Sequence, residues 1–79
     1  MKVKARVITT TTVEVEVDDK FAVIGSDEEM NKLTYQEQYN LGEELRWVCW
    51  NKANHILGGD VQDVFRILDG ESGTVIYEK

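Results

Sequence analysis

The chain has 79 residues, with nine Lys and Arg against fifteen Asp and Glu, a formal charge of -6, and 42% hydrophobic residues. That length allows one domain, residues 1–79, with a small core and a stability margin of a few kcal/mol. A strongly acidic domain without a basic block is poorly suited to nucleic acid, whose affinity comes mostly from neutralised phosphates, and equally to an anionic membrane surface.

Cys49 is the only cysteine, so no intrachain disulfide can form, and a reducing, cytoplasmic setting is expected. No apolar run approaches the ~20 residues of a membrane span, and the first residues alternate charge with apolar groups instead of forming a signal segment.

The front of the chain carries the clearest periodicity. Val3, Ala5, Val7, Thr9, Thr11, Val13, Val15 and Val17 occupy odd positions, with charged or polar residues on most even ones. Period two marks a half-buried strand. One straight strand of that length would span about 50 Å, whereas a domain of this size is roughly 30 Å across. The segment therefore turns back on itself, or bends at a bulge. A hairpin centred on Thr10 sets Val7 opposite Val13 and Val3 opposite Val17, with Arg6 facing Glu14 on the other side. Thr9, Thr10 and Thr11 are β-branched, unlike the residues that tight hairpin turns favour, so a single long bent strand is the rival reading.

Asp18, Asp19 and Lys20 read as a second turn, and Phe21 to Ile24 as a short strand ended by Gly25. Ser26 with Glu29 makes a capping box that opens a helical turn through Met30 and Leu33. Thr34 with Glu37 repeats it and starts a long helix reaching Leu57, which Gly58 and Gly59 stop. Val64 to Leu68 and Thr74 to Tyr77 form a hairpin around Asp69 to Gly73. Setting Leu68 opposite Thr74 places Phe65, Ile67, Val75 and Tyr77 on one face, and Val64, Leu68 and Ile76 with Arg66 and Glu78 on the other. The fold class is α+β: an antiparallel sheet of four to five strands with one long helix across one face, in the order ββ(β)αββ.

At 100° per residue, Leu41, Leu45, Val48, Cys49 and Ile56 gather within about 100° and face the sheet. Lys52 falls inside that arc and is expected to snorkel, its stem packed and its ammonium in water. Trp50 sits at the arc's edge beside Tyr39. Trp47 lies further round, among Glu43, Asn51 and Asn54. A tryptophan among polar neighbours is either covered by the short helix or held out for a partner, and indoles and phenols are enriched at binding hot spots. Tyr39, Trp47 and Trp50 are the candidate partner-binding residues. Val64, Leu68 and Ile76 are a candidate oligomer face, with burial within the chain as the alternative.

Catalytic and metal chemistry finds little support. Cys49 and His55 are about 240° apart round a helix, which rules out a thiolate–imidazole dyad. Cys49 reads as a core residue and His55 as a favourable charge near the helix C-terminus. One Cys and one His give no zinc spacing. Asp27-Glu28-Glu29 and Asp60-Val61-Gln62-Asp63 lack calcium-loop spacing, and Gly70 and Gly73 belong to a hairpin turn. No catalytic residue, metal or cofactor is expected.

The function expected is a non-enzymatic module that binds a protein partner or a second copy of itself as a homodimer, with no direct nucleic-acid or membrane contact. One alternative is an acidic regulator that imitates phosphate charge toward a nucleic-acid-binding protein, because residues 26–79 carry the acidic excess. Another is a small enzyme whose site is completed at an oligomer interface, using His55 or Glu43.

Overall fold

A computed structural model describes residues 1–7, 11–59 and 63–78 of the chain. The elements are β1 (Lys2–Val7), β2 (Thr11–Glu16), a 3-10 helix (Asp19–Gly25), α1 (Asp27–Met30), α2 (Tyr35–Ile56), β3 (Val64–Asp69) and β4 (Val75–Glu78). The strands form one antiparallel sheet in the order β2-β1-β3-β4, so the two hairpins lie side by side through β1 and β3. The α+β class and the order ββαββ hold, with four strands.

The odd-numbered residues face inward as the alternation requires: Val3, Ala5, Val7, Val13, Val15 and Val17 are all buried. The register differs from the one centred on Thr10. Val3 pairs with Val15, Ala5 with Val13 and Val7 with Thr11, two residues from the expected pairing. A shift of two keeps every side chain on its face and still sets Lys2 and Lys4 against Glu16 and Glu14, so the pattern by itself could not choose between them. Asp18 is used elsewhere. Its carboxylate accepts from the Lys20 N–H at 2.8 Å and caps the 3-10 helix. The turn expected at Thr9 and Thr10 lies outside the described residues, as do positions 60–62 of the second acidic run.

That cap also explains why Phe21 to Ile24 is not a strand. Held in a helical turn, Phe21 and Ile24 fall on one side three residues apart and reach the core, while Ala22 between them is exposed. Both expected N-caps form, but only the second is a full capping box. Ser26 Oγ accepts from the Glu29 N–H. At Thr34 the exchange is reciprocal: Thr34 Oγ1 accepts from the Glu37 N–H at 3.1 Å, and Glu37 Oε1 accepts from the Thr34 N–H at 3.0 Å. The Thr34 N–H holds the Glu37 carboxyl below its ordinary range. Gln38 locks the α1–α2 corner by donating to the carbonyls of Met30 and Leu33. Gly59 N–H donates to Asn54 O at 2.8 Å and Gly58 N–H to His55 O at 3.4 Å, with both glycines at positive φ, which is a Schellman ending.

Leu45, Cys49 and Ala53, spaced four apart, are the fully buried residues of α2. Leu41 and Val48 pack at the margin of the core. Ile56, expected on the same arc, is instead 58% exposed. It is the last residue of α2, one turn beyond Ala53, where the buried stripe of the helix ends. Lys52 snorkels as expected, its Nζ donating to the Glu16 carbonyl.

The C-terminal hairpin departs most from expectation. Arg6 pairs with Arg66 but Val7 with Val64, so Phe65 is an extra residue and the strand changes face there. A second irregularity leaves Ile76 extra between Val75 and Tyr77. Val64 and Ile67 therefore both point inward, at 0% exposure, while Phe65 and Val75 are exposed. The turn is built on Asp69, whose carboxylate accepts from the N–H groups of Glu71 at 2.8 Å and Ser72 at 3.0 Å. Those donors, Ser72 first, hold the Asp69 carboxyl below its ordinary value of 3.8. A carboxyl depressed in the folded state adds stability above its unfolded pKa and loses it as pH falls through the folded one. Asp69→Asn keeps an acceptor but no charge. It should therefore melt below wild type at about pH 6 and approach it at about pH 3, as thermal scans across that range will measure.

Candidate functional site

The long helix presents two different flanks. Taking Cys49 as the direction of the core, Tyr35, Tyr39, Glu43, Arg46, Trp47 and Trp50 lie on one side of it, within about 120° of one another. That side overlooks β3 and β4. Arg46 ties it down: its guanidinium reaches Glu43 Oε2 at 3.0 Å and Asp63 Oδ1, just before β3, at 2.8 Å. The Tyr77 hydroxyl of β4 lies 3.5 Å from the other oxygen of Glu43. Arg46 is held more firmly charged than usual by Glu43 above all.

Two hollows follow from this arrangement. A groove of about 410 Å3 separates the first turns of α2 from β4, with Tyr35, Tyr39 and Gly42 on the helix side and Ile76, Tyr77 and Glu78 on the strand side. Gly42 lies against the Tyr77 ring, where a Cβ would stand at an ordinary contact distance of 3.8 Å. A smaller hollow of about 260 Å3 lies beyond the Arg46 bridge, between Trp47, Trp50 and Asp63.

The three aromatic residues picked out by the helix pattern separate by burial. Tyr39 and Trp47 are 65% and 63% exposed. Trp50 is half-buried against the core, so only part of its indole remains available. Tyr35, which the helix pattern did not single out, is 91% exposed. Its signal was its spacing, four residues before Tyr39 in the first turn of α2. The short helix does not cover Trp47, because α1 ends at Met30 and meets α2 at the opposite end.

The candidate oligomer face loses two of its three residues. Val64 is sealed in the core, and Ile76 turns inward, 3.6 Å from where a Cβ on Gly25 would stand. Leu68 alone stays on the outer sheet face, opposite Lys4. The cause is the pair of bulges, each of which reverses the alternation. That outer face also carries Val75, paired with Leu68 and exposed, beside a mosaic of Lys2, Lys4, Arg6 and Arg66 with Glu14, Glu16 and Glu78.

Cys49 is fully buried, and burial pushes its thiol up to about 12, against a smaller opposite pull from Lys52. At neutral pH it is a thiol, not a thiolate nucleophile. Labelling with a disulfide reagent at about pH 8 should be negligible in the native protein and complete in denaturant, its rate tracking global opening. Native labelling as fast as a small-molecule thiol would contradict this packing. Among the described residues no three His, Cys, Asp or Glu side chains cluster to hold a metal, and no helix is long and apolar enough to cross a membrane. No family model matches the chain, and comparison with the curated proteins and with the solved structures found no match.

Proposed function

We propose that the chain is a non-enzymatic interaction module, an acidic domain that binds another protein through the aromatic flank of α2. The observation that carries this reading is the exposure of Trp47. An indole side chain spans roughly 250 Å2, so 63% exposure leaves about 4 kcal/mol of apolar burial unrealised at 25 cal/mol/Å2. Tyr35 and Tyr39 extend the same surface. Aromatic groups grouped beside a fixed arginine have the composition of a binding hot spot.

Charge imitation has less support. Glu29, Glu43, Glu44, Asp63 and Glu78 are each within ion-pair distance of a lysine or arginine, which breaks up the negative field. The reading extends to a cytoplasmic setting, supported by the single cysteine.

The test compares wild type with Tyr39→Ala/Trp47→Ala by affinity capture from the native host, alongside sedimentation of the purified proteins. Expected is a stoichiometric partner, or a dimer, that the double variant loses while its melting temperature stays within about 2 °C of wild type. Identical capture and sedimentation for the two proteins would sink the reading.

A further inference from the structure

Asp69 is followed by Gly70, and no other Asp or Asn in the chain precedes a glycine. In such a pair the glycine nitrogen reaches the aspartate carboxyl carbon, because no Cβ shields the peptide. The reaction joins Gly70 N to Asp69 Cγ, and the amide proton leaves with the carboxyl hydroxyl as water. Water then adds to either carbonyl of the five-membered succinimide. Breaking the new N–Cγ bond restores aspartate. Breaking the original peptide bond instead leaves isoaspartate, whose main chain runs through Cβ and Cγ. One water leaves and one returns, so no co-reactant is needed.

The folded turn holds each participant away from this reaction. Gly70 N–H donates to Lys2 O at 3.0 Å, on the strand that lies between β2 and β3. The Asp69 carboxylate is engaged by the N–H groups of Glu71 at 2.8 Å and Ser72 at 3.0 Å, which also favour its ionised form. Only the neutral carboxyl has a hydroxyl to lose as water, so ionisation slows ring closure. The Asp69 backbone is held too: its N–H donates to Thr74 O at 2.8 Å, and its carbonyl accepts from Gly73 N–H at 3.0 Å. Closing the ring requires nitrogen and Cγ to come into line, and these bonds together oppose the rotation.

The product fits no better. Isoaspartate adds one carbon to the main chain just before Gly70. There the backbone already lies so close to Lys2 that a Cβ on Gly70 would stand 2.7 Å from the Lys2 carbonyl oxygen. The side-chain carboxyl that accepted from Glu71 and Ser72 becomes part of the new main-chain amide.

We propose that Asp69–Gly70 is a latent isoaspartate site, shut while the C-terminal turn lies against β1 and opened when it comes away. Modification then marks chains that have opened and hinders their return to the native fold.

The experiment ages the full chain at neutral pH, in buffer and in denaturing guanidinium chloride, while peptide mapping follows isoaspartate at every aspartate. Expected is formation at Asp69, at least about hundredfold slower in buffer than in denaturant, as for a site reached only through opening. Gly73→Pro removes the N–H that holds the Asp69 carbonyl and cannot adopt φ +75, yet leaves the Asp-Gly pair intact. Aged in buffer, it should form isoaspartate about tenfold faster than wild type, or more. Circular dichroism reports whether that variant is folded. If it is not, the wild-type rate across a guanidinium series replaces it and should rise with the opened fraction. The isoaspartyl chain, separated by ion exchange and returned to buffer, should melt below the unmodified one.

Equal rates in buffer and denaturant would overturn the proposal, as would isoaspartate appearing first at another position. A folded Gly73→Pro variant that ages no faster than wild type, a wild-type rate flat across the guanidinium series, or an isoaspartyl chain as stable as the unmodified one would do the same.

Discussion

Replacing Phe21 by alanine is expected to cost about 3–5 kcal/mol and to leave much of the protein unfolded at body temperature. Phe21 is 1% exposed and heads the largest fully buried side chains. From Asp18 to Glu44 it is the only fully buried residue, so it is the main anchor of the crossover between β2 and the middle of α2, with Ile24 and Leu41 packed at the margin of the core. Removing a buried aromatic ring forfeits its transfer free energy and leaves a cavity that the neighbours fill incompletely. A domain of this length has a total stability of only about 4–12 kcal/mol. Lys20 Nζ lies 5.2 Å from the ring centroid and bonds Glu44 at 2.6 Å, so the loss reaches the outer edge of the crossover as well. Urea denaturation followed by tryptophan fluorescence will measure the effect. Phe21→Leu, which keeps most of the volume, should lose about 1 kcal/mol. An alanine variant as stable as the leucine one would mean that Phe21 is not the anchor.

Gly70→Ala is the second large effect, and its origin is steric. A Cβ on Gly70 would stand 2.7 Å from the Lys2 carbonyl oxygen and 3.1 Å from the carbonyl carbon. The Gly70 N–H already donates to that oxygen at 3.0 Å, so the two backbones are bound at the point of collision. Neither side can yield cheaply. Lys2 belongs to β1, paired on both sides, and Gly70 begins a turn that the Asp69 carboxylate fixes. The expected loss is about 1–3 kcal/mol, or roughly 10 °C in melting temperature for a domain of this size. Gly58→Ala is the control. Gly58 has φ +74 but nothing within 4 Å of the place an alanine methyl would occupy, so it meets backbone strain without a collision. If Gly70→Ala melts within about 2 °C of wild type, the close approach of the C-terminal turn to β1 is wrong.

The candidate site was partly legible. Helical periodicity placed Trp47 away from the core stripe and Tyr39 at its edge, and both are exposed. It could not say that β4 would lie beside them to make a groove, since that depends on strand order across the sheet. Tyr35 was missed because the first turn of a helix is a poor place to infer burial from angle alone. Trp50 is half-buried and Trp47 exposed, in keeping with their helical angles, at the edge of the apolar arc and beyond it.

What the chain's own pattern determined is local. Alternating valines decide which face of the first hairpin is buried, Thr34 with Glu37 starts α2, and Gly58 with Gly59 ends it, because each is settled within a few residues by backbone hydrogen bonding or by a two-residue period. What only the tertiary structure decided is whatever requires a second element. The register of β1 on β2 was degenerate under a two-residue shift. The fate of Phe21 to Ile24 turned on a cap offered by Asp18. The inward turn of Val64 and Ile76 came from bulges against β1 and β3, where an extra residue in one strand is accommodated by its neighbour and leaves no mark in the alternation itself.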